Sequence, residues 1–284
     1  MIVSHIIGGL GNQLFQYAAG RYLAEKHQVP LLLDITDFTG YHLRNFELHN
    51  LHTRFSIAQP EDFNRLKPTG KLAKALQYLK PKPARTYHRE HHFHVEPSFF
   101  KIGPNAYIKG NFQSFRYFEP IAGIIRKEFE VKEELIRNVK ELGDTIQNQP
   151  SVAVHIRRGD YTKKVFLEYH GLLSEAYYNK AIDLLLKKES GLKFYFFSDD
   201  LPWVKQHISA PNAIYVSGEH STGHYEDFYL MSRCRHNIIA NSSFSWWAAW
   251  MNNNPGKMVI APKQWFNKAG HNTKDLVPEN WLRV

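Results

Sequence analysis

Short apolar runs bounded by polar or turn residues recur through the second half of the chain, at residues 151–157, 193–198, 213–216, 237–241 and 257–261. Each is too short for a helix and rich in Val, Ile, Phe and Tyr, as strands buried on both faces are. Between them lie stretches of helical spacing at 174–189, 201–207, 224–234 and about 245–252. In the first of these Tyr178, Ala181, Ile182 and Leu185 fall at offsets of one, three and four, with Ser174 placed as an N-cap. Strands alternating with helices predict βαβ units and a parallel sheet.

The first half opens in the same way. Residues 2–7 read as a strand, 8–11 as a tight turn and 12–27 as a helix with Leu14, Phe15, Ala18, Ala19, Tyr22 and Leu23 on its core face. A second strand is predicted at 30–35. Residues 37–100 are less regular, with a basic surface helix at 67–82 between Pro68 and Pro81. A further strand and helix are expected at 106–110 and 117–131. The charged, polar stretch 131–150, which ends in Pro150, reads as a boundary between domains 1–150 and 151–284. The fold class predicted is α/β: two Rossmann-like domains facing each other across a cleft.

Composition narrows the class without choosing a ligand. With 43% hydrophobic and 22% charged residues in 284, disordered and low-complexity classes are excluded. A balance of 36 Lys and Arg against 27 Asp and Glu gives +9 and favours anionic partners. No RNA-binding motif interleaves those cations with aromatics, so nucleic acid is not expected. Cys234 is the single cysteine, which excludes an intramolecular disulfide and a multi-cysteine zinc site. No run approaches the ~18 apolar residues of a membrane span. The first twenty residues lack a basic leader and carry Asn12 and Gln13, so no secretory signal is expected.

Four motifs carry candidate chemistry. Gly8-Gly9-Leu10-Gly11-Asn12-Gln13 joins a strand to a helix, where close backbone approach and free N–H groups suit a phosphate. A purely structural βα turn explains it equally well, and the spacing is neither the dinucleotide fingerprint nor a P-loop. His155-Ile156-Arg157-Arg158-Gly159-Asp160-Tyr161 ends the first strand of the second half, where open α/β sheets place ligands. Strand alternation would send His155, Arg157 and Gly159 to one face and Arg158 to the other. One arginine is then expected to grip a pyrophosphate through its planar fork, and the other to hold the loop through Asp160. Phe197-Ser198-Asp199-Asp200 ends the next strand; its carboxylates suit a metal, a base or a guanine edge, and Asp200 alternatively caps the following helix. Asn241-Ser242-Ser243-Phe244-Ser245-Trp246-Trp247 places hydroxyls and N–H groups at a helix start, with the tryptophans expected in the core. His88, His91, His92 and His94 are expected to be surface histidines rather than zinc ligands.

Together with residues 107–118 (YIKGNFQSFRYF), these motifs resemble the bacterial and animal α-1,2-fucosyltransferases, family 11 of the glycosyltransferases. They follow that family's order across nearly the whole chain. The resemblance implies the two-domain GT-B arrangement, inversion at the anomeric carbon, GDP-fucose as co-substrate, no cofactor and no metal. It places the nucleotide in the domain with HIRRGDY and the acceptor, a galactose-terminated oligosaccharide or lipid-linked glycan, on the first domain. Donor-binding residues expected are Gly9, Gly11, Asn12, His155, Arg157, Arg158, Asp199, Asp200, Asn241, Ser243, Phe244 and Ser245. Arg157 is expected on the diphosphate, Asp199 or Asp200 on guanine, and Arg157, Asp160 and Asn12 in the catalytic set, with Asp160 as the available base. The expected location is the cytoplasm, with at most peripheral contact at the inner face of the membrane.

Overall fold

The structure is a computed structural model that describes residues 1–40, 43–162, 164–268 and 270–284, with the backbone alone for Lys74 and Asp160. It divides into two compact units, Met1–Glu130 with Asn272–Leu276, and Val131–His271 with Val277–Val284.

The first unit contains β1 (Ile2–His5), α1 (Leu10–His27), β2 (Leu31–Asp34), β3 (Ser56–Ile57), α2 (Pro60–Asn64), α3 (Gly70–Leu79), β4 (Tyr87–Arg89), β5 (Ala106–Lys109) and α4 (Ala122–Glu128). Its sheet is parallel throughout, in the order β3-β2-β1-β5-β4. The first four residues of the pattern, Ile2 to His5, are all buried, and α1 lays its apolar stripe on them. At Gly20 a Cβ would stand 2.9 Å from both Leu31 and Ser4, so the glycine lets helix and sheet approach closely. Gln28, at φ 53°, ends α1 by donating its N–H to the carbonyls of Ala24 and Glu25.

The second unit contains α5 (Lys140–Gln147), β6 (Ser151–Ile156), α6 (Lys164–His170), α7 (Glu175–Lys188), β7 (Lys193–Ser198), α8 (Leu201–His207), β8 (Ala213–Tyr215), α9 (His224–Arg233), β9 (His236–Ile238), α10 (Ser243–Met251), β10 (Val259–Ala261) and β11 (Leu282–Arg283). Its sheet, also all parallel, runs β11-β10-β9-β6-β7-β8. Val152, Val154, Phe194 and Phe196 from its central strands form the core with Tyr178, Ile182 and Leu185 of α7. Trp246 and Trp247 are fully buried, as the sequence predicts. Ser174 stands at the N-cap of α7, but its side chain makes no capping bond.

Two sequence expectations are corrected. The boundary lies at residue 130 rather than 150, because α5 packs on α9: a Cβ at Gly143 would sit 2.5 Å from the Tyr229 ring. The segment 272–276 returns to the first unit, where Asp275 accepts from the Val95 N–H (3.0 Å). The helix expected over 117–131 is shorter, α4 being preceded by 3₁₀ turns at Phe115–Tyr117 and Glu119–Ile121.

In each unit one strand has its chain-order neighbour on one side and a later strand on the other. That strand is β1, between β2 and β5, in the first unit, and β6, between β7 and β9, in the second. The carboxyl end of such a strand is where an open α/β sheet binds ligands. Gly8–Gly11 follows β1, and Arg157 and Arg158 follow β6.

Candidate active site

The loop after β6 is built around a carboxylate. Asp199 Oδ1 accepts the N–H groups of Arg158 (2.8 Å) and Gly159 (3.0 Å), and its Oδ2 pairs with Arg157 Nη1 at 2.7 Å. A Cβ on Gly159 would lie 2.5 Å from Asp199 Oδ2, so only glycine leaves the carboxylate its place. Asp200 Oδ1 caps α8 by accepting the Trp203 N–H (3.2 Å), and its Oδ2 pairs with Arg158 Nε (3.1 Å). The Arg158 guanidinium also lies 3.8 Å above the Trp203 ring.

Both arginines are thus paired with a carboxylate, Arg157 with Asp199 and Arg158 with Asp200. Arg158 is the loop anchor, and Asp200 and Trp203 hold it where the sequence reading assigned Asp160. Strand alternation does not reach past Ile156, because β6 ends there and both arginines lie in the loop. Of the two carboxylates, one of which is expected on guanine, Asp199 pairs with Arg157 and Asp200 caps α8. Asp160, the expected base, has its side chain outside the described residues.

His155, the penultimate residue of β6, is buried, and its Nδ1 has no hydrogen-bond partner among the described residues. Burial and the adjacent Arg157 cation push the imidazole down to about 4, so it is neutral at pH 7. Its ring lies 5.7 Å from that of Phe244 in the first turn of α10. The N–H groups of that turn point out of the helix at its positive end. Of the hydroxyls expected there, that of Ser245 is buried and donates to the Ser242 carbonyl (3.3 Å). Asn241 is a tie: its amide donates to the carbonyls of His170 (2.9 Å) and Trp265 (3.2 Å), and its carbonyl accepts from Tyr161 (3.3 Å).

In the first unit the glycine turn is braced by glutamines that sequence reasoning passed over. Gln13 donates to the carbonyls of Gly8 and Asn45, both at 2.8 Å, and accepts the Glu47 N–H at 2.9 Å. Gln16 accepts the Ile7 N–H at 2.9 Å. Gly8 has φ +88°, which favours glycine. Asn12 Oδ1 accepts from Gln113 Nε2 (2.9 Å), which joins the glycine turn to the YIKGNFQ segment. Glu90 braces that segment by accepting the N–H groups of Asn111 (2.8 Å) and Phe112 (2.7 Å) and the Tyr117 hydroxyl (2.9 Å); burial pushes its carboxyl up to about 7. A further cluster at the same sheet edge was missed: His5 Nε2 lies 2.8 Å from Asp37 Oδ2 and 3.3 Å from Lys109 Nζ. Its only signal in the sequence is a polar residue closing an apolar strand just before the glycines, as His155 does before its own loop.

Of the four histidines expected at the surface, His88 and His94 are half-buried. His88 lies in β4 with Nε2 3.0 Å from the Arg85 carbonyl, His91 and His92 are exposed, and His92 stacks on His94. No helix among the described residues is long and apolar enough to cross a membrane.

Comparison with known proteins gives the family and the fold. The α-1,2-colitosyltransferase of Escherichia coli is 34% identical, over all of this chain and 99% of its own. Galactoside α-(1,2)-fucosyltransferase 1 of Rattus norvegicus is 25% identical over 75% of this chain and 60% of its own. The fold is shared with FUT1 of Arabidopsis thaliana, solved with GDP, at a TM-score of 0.53 and 13% identity, covering 93% of this chain and 71% of that one. The profile of Glycosyl transferase family 11 matches residues 71–284, three quarters of the chain, and the chain belongs to that family.

Proposed function

We propose that the enzyme transfers L-fucose from GDP-fucose, with inversion, to the 2-hydroxyl of a terminal galactose on an oligosaccharide or lipid-linked glycan. The observation that carries this reading is Arg157 fixed by Asp199 at the carboxyl end of β6, next to the buried His155, whose Nδ1 has no hydrogen-bond partner among the described residues. A guanidinium pinned at one nitrogen holds its planar fork in a set orientation for a diphosphate. The acceptor oxygen attacks fucose C1, and the electron pair of the C1–O bond leaves with GDP. Positive charge builds on the sugar and negative charge on the leaving diphosphate. Arg157, Ser243 and the Phe244 N–H meet that negative charge. Asp160 takes the proton of the attacking hydroxyl. The first unit, with Gly9, Gly11 and Asn12 after the carboxyl end of β1, binds the acceptor.

With the leaving charge met by arginine and helix donors, turnover with GDP-fucose should be unchanged in excess chelator. A collapse restored by Mn²⁺ or Mg²⁺ would assign the diphosphate to a cation and remove Arg157 from its central place.

A second donor is favoured by the similarity to a colitosyltransferase. Colitose is L-fucose without its 3-hydroxyl. A site that hydrogen-bonds this hydroxyl rejects the deoxy sugar strongly, whereas an apolar pocket barely separates the two. The ratio of kcat/KM for the two GDP-sugars distinguishes these cases.

A further inference from the structure

Helix α3 is built inside out. Leu72, Leu76 and Leu79 share one face at i, i+4 and i+7, and they are 76%, 51% and 81% exposed. Tyr78, beside them, is 68% exposed. The side turned to the protein is held by a polar group: Gln77 donates to Thr86 Oγ1 (2.8 Å) and accepts the Thr86 N–H (3.1 Å). Arg85 secures the end of the helix by donating to the carbonyls of Lys80 (2.9 Å) and Tyr78 (2.8 Å). A helix that served only the core of its own unit would bury its leucines and expose its glutamine. A contiguous apolar face of this kind marks a surface made for something else.

Charge identifies the occupant. Residues 63–89 hold eight Lys and Arg and no Asp or Glu, leaving 28 of the 36 cations to face all 27 acids. The flanking Glu61, Asp62 and Glu90 bring residues 61–90 to +5, still more than half of the chain's +9. Lys67 and Lys82 are paired with Asp34 and Glu96, whereas Lys71 and Lys80, at the two ends of α3, are exposed, as are Arg65 and Arg89 on its flanks in sequence. A nucleic acid would use those cations and leave the leucines in water. An apolar protein groove would use the leucines and gain nothing from the cations. An anionic bilayer surface takes both at once, leucines among the acyl chains and cations at the headgroups.

We propose that α3 docks the protein on anionic lipid through Leu72, Leu76 and Leu79, with Lys71 and Lys80 at the headgroup level. Such docking would confine the enzyme to the plane in which a lipid-linked acceptor lies, but it stands independently of the sugar transferred. Flotation of the full chain with phosphatidylcholine vesicles, with and without phosphatidylglycerol, tests it. Binding should require phosphatidylglycerol, weaken in high salt and fall roughly tenfold or more in L72N/L76N/L79N. The single variant L79S should show a smaller loss in the same direction, and it serves if the triple variant does not fold. Thermal melting reports folding for both. Binding that is absent, that ignores the leucine changes, or that is replaced by capture of single-stranded RNA overturns the proposal.

Discussion

Arg157→Lys should lower kcat/KM for sugar transfer about 10²–10³-fold and leave the melting temperature near that of the parent. Lysine can keep the ion pair with Asp199, which now stands at 2.7 Å, so the loop has no reason to open. What it lacks is the planar fork that presents parallel N–H groups to two phosphate oxygens. The loss should fall mainly on kcat, since charge on the leaving diphosphate grows toward the transition state. Arg158→Lys should show the opposite profile. It gives up the stack on Trp203 and the Nε bond to Asp200, which are structural contacts, so stability should fall more than turnover does. Kinetics and melting curves on both variants measure the contrast. A near-normal Arg157→Lys beside a dead Arg158→Lys would reverse the two roles.

Gly159→Ala is the second large effect, and it tests the positioning of Arg157 without touching the arginine. The added methyl carbon would stand 2.5 Å from Asp199 Oδ2 and 2.9 Å from its Cγ. The carboxylate must move, and with it go its bonds from the Arg158 and Gly159 N–H groups and its grip on Arg157. Overpacking of this sort costs about 1–3 kcal/mol, a few degrees in Tm for a chain of this size. A misplacement on the order of 1 Å in a catalytic group costs roughly 10²-fold in rate. We therefore expect kcat/KM to fall by ~10–100-fold, with GDP affinity reduced alongside. Activity within about threefold of the parent would show that Asp199 does not position the arginine.

The strands and the loops after them were legible because their signals are local. A run such as Ser151–Ile156, buried at every position, has one compact solution when helices alternate with it. Arg157, Asp199 and the start of α10 could be placed at one sheet edge because parallel strands put all their carboxyl ends on the same side. Pairings between loops were not legible. Where β6 stops decides which way each arginine faces, and that depends on Asp199 taking two backbone N–H groups from across the loop. The misplaced boundary has a similar origin: in α5 only Gly143 and Ile146 are buried, so its sequence looks like a solvated linker. Residues 37–100 read poorly because β3 and β4 have two and three residues, too few for a period to show. His5 and Asp37 were missed because 32 residues separate them and the sheet alone brings them together.

The most direct test of the central claim is the structure of the product. Incubated with GDP-fucose in chelator and a panel of β-galactosides, the protein should yield one new sugar whose NMR spectrum shows fucose α-linked to galactose O2. GDP-fucose carries its sugar in the β configuration, so the α product also establishes inversion. A β-linked product, linkage at another hydroxyl, or transfer from a UDP-sugar with none from GDP-fucose would contradict the account.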